Sequence, residues 1–194
     1  MRINTAKTIV FLHRDREQSH LIGRIMQILL ADRGYSAVCA PICPNDLTPL
    51  GEGIGIQFGT NVTPATYTVD KADFILSTDF TAAIPWIPWL KSGGRLISCY
   101  PQQEADPSVS SPDPYIAEGY NIDIFDTSSL DPSEFSSAVV HMALLGRLAW
   151  YFDISDPEFY ATLCKLLPQA DVQTHYRAYI LGKKTYGKIL YPRN

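Results

Sequence analysis

Several features that would announce a function are missing from this chain. Its four cysteines, Cys39, Cys43, Cys99 and Cys164, include no Cys-x-x-Cys pair, and Cys39 and Cys43 are separated by Pro41 with Pro44 following directly. A structural zinc or an iron–sulfur cluster held by this chain alone is therefore disfavoured, and buried or bystander thiols are expected. Histidine is sparse and scattered, at His13, His20, His141 and His175, with no His-x-x-x-His spacing to put two imidazoles on one helical face. There is no Gly-x-Ser-x-Gly elbow for a serine nucleophile. Basic excess is absent too: the formal net charge of −4 offers no footprint for nucleic acid. No run reaches the roughly 18 apolar residues that a membrane span needs. The opening segment meets His13-Arg14-Asp15-Arg16 too soon for a signal peptide. A cytoplasmic protein with no nucleic-acid or membrane partner is expected.

What is present reads as alternating strands and helices. Phe74-Ile75-Leu76 is an unbroken apolar run bounded by Asp73 and Asp79, the pattern of a strand buried on both faces of a parallel sheet. Leu90-Lys91-Ser92-Gly93-Gly94 and a second run, Arg95 to Tyr100, follow at the distance a βαβ crossover needs. Upstream, Thr8 to Leu12 predicts the first strand, Leu21 to Arg33 a helix closed by Gly34, and Ser36 to Ala40 the second strand. Gly53 to Gly59 alternates apolar with small or polar residues, predicting a half-exposed, antiparallel strand, and threonine-rich Val62 to Val69 is its candidate hairpin partner. The crossover Thr81 to Leu90 carries Pro85 and Pro88, so its helix is short or broken, with Trp86 and Trp89 covering the sheet. Tyr115 to Gly119 predicts a short turn or helix and Asn121 to Asp126 a last strand. Asp131-Pro132-Ser133-Glu134 then starts a helix that is apolar on nearly every side from Phe135 to Phe152. Such a helix must be covered all round, by its own domain or by another chain, and is the residue-level hint of an oligomer. Two shorter helices end near Leu167 and at Gly182, and the basic run Lys183 to Lys188 reads as a solvated end. The fold class expected is α/β: a three-layer, Rossmann-like, mostly parallel sheet flanked by helices, one domain over 1–194.

Ligands and partners collect at the carboxyl edges of such strands, here near Thr78-Asp79 and Cys99-Tyr100. Asp79 reads first as a helix cap. A dinucleotide site would need glycines in the loop after strand one, and His13 to Gln18 contains none; the nearest is Gly23, inside the helix. A helix amino end still favours anions, so Arg14, Arg16 and Ser19 are the candidate phosphate contacts, against a solvated charged turn. His141 reads as a core histidine. No spacing reveals catalytic residues, and a lone enzyme acting through Asp79 or His141 is the least favoured reading.

In order and spacing, Gly55-Ile56-Gln57-Phe58-Gly59, Ala72 to Asp79, Leu90 to Ile97, Asp126-Thr127, Met142-Ala143-Leu144-Leu145-Gly146 and Tyr176 to Gly182 form a recognisable series. With these the chain resembles the gamma-type subunit or domain of 2-oxoacid:ferredoxin oxidoreductases, the group of pyruvate and indolepyruvate oxidoreductases, over residues 8–187. It departs from that family in the first loop, where His13 to Gln18 replaces a Gly-x-Gly-Gly-x-Gly segment. It departs again near Thr48-Pro49-Leu50, which lacks an Arg-Gly-Gly segment, and at His141 and His175, where asparagines are expected. The resemblance implies an accessory subunit of a complex that oxidatively decarboxylates a 2-oxoacid to an acyl-CoA. Its electrons would pass through iron–sulfur clusters to ferredoxin. Thiamine diphosphate and the clusters would sit on companion subunits, coenzyme A would be used by the complex, and this chain alone would hold no cofactor. The alternative is a diverged, stand-alone binding module that self-associates through the 135–152 helix.

Overall fold

Strand β1 (Lys7–His13) and β4 (Ala72–Ser77) lie side by side and parallel at the middle of the sheet, Ile9 opposite Phe74 and Leu12 opposite Ser77. The computed structural model describes residues 6–13, 16–42, 52–67, 69–99, 111–125, 137–184 and 188–190. Helix α1 (Arg16–Ala31) carries the chain from β1 to β2 (Ser36–Ile42), and β3 (Glu52–Gly59) then returns between them. On the other side of β4 come β5 (Leu90–Cys99), β6 (Asn121–Phe125) and β7 (Lys188–Leu190), giving the order β2-β3-β1-β4-β5-β6-β7. The β1–β4, β4–β5 and β5–β6 pairs are parallel; β3 and β7 run against the other five strands.

Two apolar cores lie on the two faces. On one, α1 packs beside α4 (Ser137–Phe152), α5 (Asp156–Leu166) and α6 (Gln169–Lys184), burying Ile9, Phe11, Ile56, Phe58, Ile97 and their helical partners. On the other, Val10, Ile75, Leu96 and Ile122 meet α2 (Phe80–Ala83), the 3₁₀ segment Ile84–Trp89 and α3 (Asp113–Ala117). The expected α/β class, a mostly parallel sheet between helical layers, is what the chain adopts. No helix among the described residues is long and apolar enough to cross a membrane.

Several local expectations change. The Gly53–Gly59 strand is antiparallel to both neighbours as expected, yet it is buried rather than half-exposed. Alpha1 covers its Ile54, Ile56 and Phe58, while the Ile42 side chain and the Tyr67 hydroxyl occupy the space a Cβ on Gly55 would need. Val62 to Val69 supplies no hairpin strand; Pro64–Thr66 forms a 3₁₀ turn, in keeping with a proline that removes a ladder donor. The sheet does not end at β6, because β7 adds an antiparallel edge. Nor does Gly182 stop the last helix, which runs through to Lys184. Lys183 is not a solvated end: its ammonium meets Asp156 at 2.5 Å and the Ile154 carbonyl at 2.7 Å. The helix start at Asp131 and the excursion before Ser111 lie outside the described residues.

The all-round apolar helix finds most of its cover within its own chain. From His141 to Ala149 every residue of α4 is buried, against the sheet on one side and α6 on the other. The α4–α6 contact is a backbone seam: a Cβ on Gly146 would collide with the Tyr179 carbonyl, and one on Gly182 with the Ala143 carbonyl. Only Trp150 is exposed among the large hydrophobics described, and its indole N–H donates to the Lys183 carbonyl. Over the described residues, this cover within the chain accounts for the apolarity of the helix without a second chain.

Candidate functional site

After β1 the chain turns to one side of the sheet, and it comes back on the other side at β4. The crevice outside the carboxyl ends of these adjacent strands is the topological switch point, where open α/β sheets take their ligands. Two described segments lead from that end: α1, which follows β1 and lies on the α4 face, and Ser77-Thr78-Asp79, which leads into α2 on the opposite face.

The β4 side of the crevice is tightly self-bonded. The Ser77 hydroxyl donates to the Asp79 carbonyl at 2.7 Å and accepts the Asp79 N–H at 3.2 Å. Ser98, fully buried on the neighbouring strand, donates to the Ser77 carbonyl at 3.0 Å. Asp79 accepts the N–H groups of Thr81 at 2.9 Å and Ala82 at 3.4 Å, so it does cap α2, as its position after the strand predicts. Beside it, burial and then the Asp79 charge push the Cys99 thiol up to about 12. Cys39, where burial acts alone, is also pushed up to about 12. Neither supplies a thiolate at neutral pH.

On the β1 side, Arg16 and Ser19 belong to the first turn of α1; Arg14 lies outside the described residues. Gly23 does not take over the missing loop glycines. Its place is the α1–sheet contact, where an added Cβ would sit 3.1 Å from the Ile54 side chain. No group of three or more potential metal ligands occurs among the described residues, and the described cysteines are scattered: Cys39 on β2, Cys99 on β5, Cys164 on α5. His141 is buried with its ring 5.5 Å from that of Phe11, as a core histidine. Trp86 is buried and Trp89 half-buried, 5.7 Å apart and closing the second face of the sheet.

At the opposite, amino edge of the strands stands a charged cluster that residue spacing did not reveal. Asp73 accepts Lys7 Nζ and Lys91 Nζ, each at 2.6 Å, and the Thr8 N–H at 2.9 Å. Burial would raise its pKa, but the two ammonium groups and the backbone donor outweigh that and hold it below the usual carboxylate value. The Leu90-to-Gly94 segment belongs to β5 as a bulge rather than a separate turn. Ala72 pairs with Leu90 and Phe74 with Arg95, so Lys91 is thrown out to reach Asp73. Gly94 is needed there, since a Cβ would stand 2.9 to 3.1 Å from three carbonyl oxygens.

These features define a doubly wound, Rossmann-like domain with a switch-point crevice and no catalytic constellation among the described residues. Neither protein-family models nor curated proteins give a match to the sequence. Solved structures do share the fold. The gamma subunit of keto/oxoacid ferredoxin oxidoreductase from Geobacter sulfurreducens superposes with a TM-score of 0.68 at 16% identity, over 95% of this chain and 99% of that one. Pyruvate oxidoreductase subunit PORC from Thermotoga maritima gives 0.65 at 15% identity, over 93% and 97%. The 2-oxoglutarate:ferredoxin oxidoreductase of Magnetococcus marinus, solved with 2-oxoglutarate, coenzyme A and succinyl-CoA bound, gives 0.66 at 15% identity. There the match covers 93% of this chain but 31% of the longer one. The chain thus has the fold of the gamma-type subunits that its sequence resembles.

Proposed function

We propose that this chain is an accessory, gamma-type subunit of a 2-oxoacid:ferredoxin oxidoreductase. One observation carries the reading: the fold aligns with two separately solved subunits of such enzymes over 99% and 97% of their lengths. The dispersed cysteines and the high thiol pKa values suit a subunit that leaves redox chemistry to others. Thiamine diphosphate and iron–sulfur clusters would sit on companion subunits, with ferredoxin reached through the complex and an acyl-CoA as product.

The contribution of this chain to coenzyme A would be electrostatic. Arg14, Arg16 and Ser19 would meet a phosphate near the start of α1, since the first N–H groups of a helix have no partner within it. With no glycine from His13 to Gln18, side chains rather than a close-lying backbone would have to reach it.

Affinity purification of the chain from its native host tests the assignment. Thiamine-binding and iron–sulfur subunits should co-purify in stoichiometric amount; a chain recovered without either overturns it. In the assembled complex, Arg14→Ala/Arg16→Ala should weaken coenzyme A binding by about tenfold or more, each charge-assisted hydrogen bond being worth ~1.5–3 kcal/mol. Unchanged affinity would dispose of the phosphate contacts while leaving the subunit assignment standing.

A further inference from the structure

Strand β2 ends the sheet of described residues on one side, and within it Pro41 is the one usual protection of an edge. Its seven residues, Ser36-Ala37-Val38-Cys39-Ala40-Pro41-Ile42, carry no charge, and six of them are half-buried or exposed. Edge strands are normally blunted by lysine, by proline or by brevity. The opposite edge, β7, is only three residues long and contains Lys188; β2 has Pro41 alone.

The register shows which backbone groups of β2 point outward. Pro41 pairs with Ile54 and has no N–H to give, so it occupies a position whose hydrogen-bonding side faces away from β3. Alternation then turns Ala37 and Cys39 outward as well. The opposite end of the ladder agrees independently. The Thr8 N–H is directed to Asp73 on the β4 side, which turns Ile9 toward Ile56 of β3 and leaves Gly55 and Gln57 for Ala40 and Val38 of β2. The outward-facing groups among the described residues are therefore the N–H and C=O of Ala37 and Cys39, and the C=O of Pro41.

We infer that this edge pairs with the same strand of a second copy, antiparallel about a two-fold axis at Cys39, joining two seven-stranded sheets into one. In that register Cys39 exchanges both hydrogen bonds with the second copy's Cys39. The Ala37 N–H donates to the carbonyl of the second copy's Pro41, and the reverse holds by symmetry. The one carbonyl this leaves without a partner across the interface is that of Ala37, since the facing proline has no donor. That carbonyl already accepts the side-chain amide of Gln27, at 3.4 Å. Every outward group is thus satisfied, a proline occupying the one place where self-pairing tolerates it. A neutral strand also meets its own copy without like-charge repulsion. The occupant that fits is a second copy of this chain, through a surface unrelated to the crevice and to α4.

Sedimentation of the full chain across a concentration series tests this. The wild type should dimerise, and Cys39→Pro should weaken dimerisation on the order of a hundredfold. Proline there removes an outward N–H but none used by β3, so the far-UV spectrum should remain native. Val38→Lys keeps every backbone donor and brings two lysines together diagonally across the new pair; it should do the same, and it decides the matter if Cys39→Pro fails to fold. Trp150→Ser, on the exposed face of α4, should leave the dimer unchanged. A wild-type chain that stays monomeric at its highest soluble concentration overturns the inference. A dimer that survives Val38→Lys, or that is lost in Trp150→Ser, does so equally.

Discussion

Two carboxylates hold distant parts of the chain together, and their environments make different demands. Asp73 is nearly buried, while Lys7 and Lys91 remain about a third exposed. Replacing it by Asn would leave two ammonium groups converging on a neutral amide that can also present a donor to them. Asp73→Asn should cost about 1–3 kcal/mol in urea unfolding, between the value of an exposed pair and that of a buried one. Glu158 is more open, with 41% of its side chain exposed. The Ser155 hydroxyl, then Arg33, then the Ser155 N–H lower its pKa from 4.5 to about 2. Arg33 also donates to the Phe152 and Asp153 carbonyls, so this group ties the end of α1 to the α4–α5 turn. A carboxylate depressed on folding stabilises the fold above its unfolded pKa and loses that effect as pH falls through its folded one. The stability difference between wild type and Glu158→Gln should therefore be full above pH 4.5 and fade between 4.5 and about 2. Given the exposure, it should not exceed about 1 kcal/mol. Thermal unfolding of both proteins along a pH series reads it, and a difference that grows toward acid would contradict the assignment.

Between elements, the α4–α6 seam sets two physical effects against each other. In an isolated helix Gly→Ala gains about 1 kcal/mol, because glycine has more backbone freedom to lose. At Gly146 and Gly182 the same change drives a methyl group into the carbonyl of the facing helix. Backbone cannot rotate out of the way as a side chain can, so the helices must separate and open the core around Tyr179 and Leu145. Gly146→Ala and Gly182→Ala should each destabilise by roughly 1–3 kcal/mol or more, overpacking with its sign opposite to propensity. Stabilisation of either variant in urea would mean that the helices are not this close. Both glycines lie in segments, Met142 to Gly146 and Tyr176 to Gly182, that support the resemblance to gamma-type subunits. From one sequence they read as helix interior and helix stop. Their real constraint is contact with each other's helix, a relation that period and capping rules do not contain.

Across the whole molecule, what could be read from sequence divides by the range of the interaction. Beta1 and β4 were legible because a strand buried on both faces must be apolar, and Ile9-Val10-Phe11 or Phe74-Ile75-Leu76 needs no partner to show it, while β6 showed by alternation and only the later half of β5 by its own apolar run. The burial of β3 was not, because its cover includes Tyr67 and α1. Beta7 was not, being three residues of mixed character beyond a helix. In the crevice the Asp79 cap was legible, since cap and helix are adjacent in sequence. The Asp73 clamp was hidden, because its lysines stand 66 and 18 positions away. The pair that binds the helical layer to the sheet is of this hidden kind. Arg147 of α4 meets Asp123 of β6 at 2.6 Å, both essentially buried, and the Tyr151 hydroxyl adds a bond at 3.1 Å. Burial, followed by the Asp123 charge, pushes Tyr151 up to about 12, keeping it a donor throughout the physiological range. Removing one charge strands the other in the interior, so Asp123→Ala should cost about 3–5 kcal/mol. Removing both should cost much less, because two desolvated ions give way to packed hydrocarbon. Asp123→Leu/Arg147→Met should come within about 2 kcal/mol of wild type by chemical denaturation. If the double variant is instead as unstable as Asp123→Ala, the pair does more than neutralise itself, and the docking of α4 onto β6 depends on its hydrogen bonds.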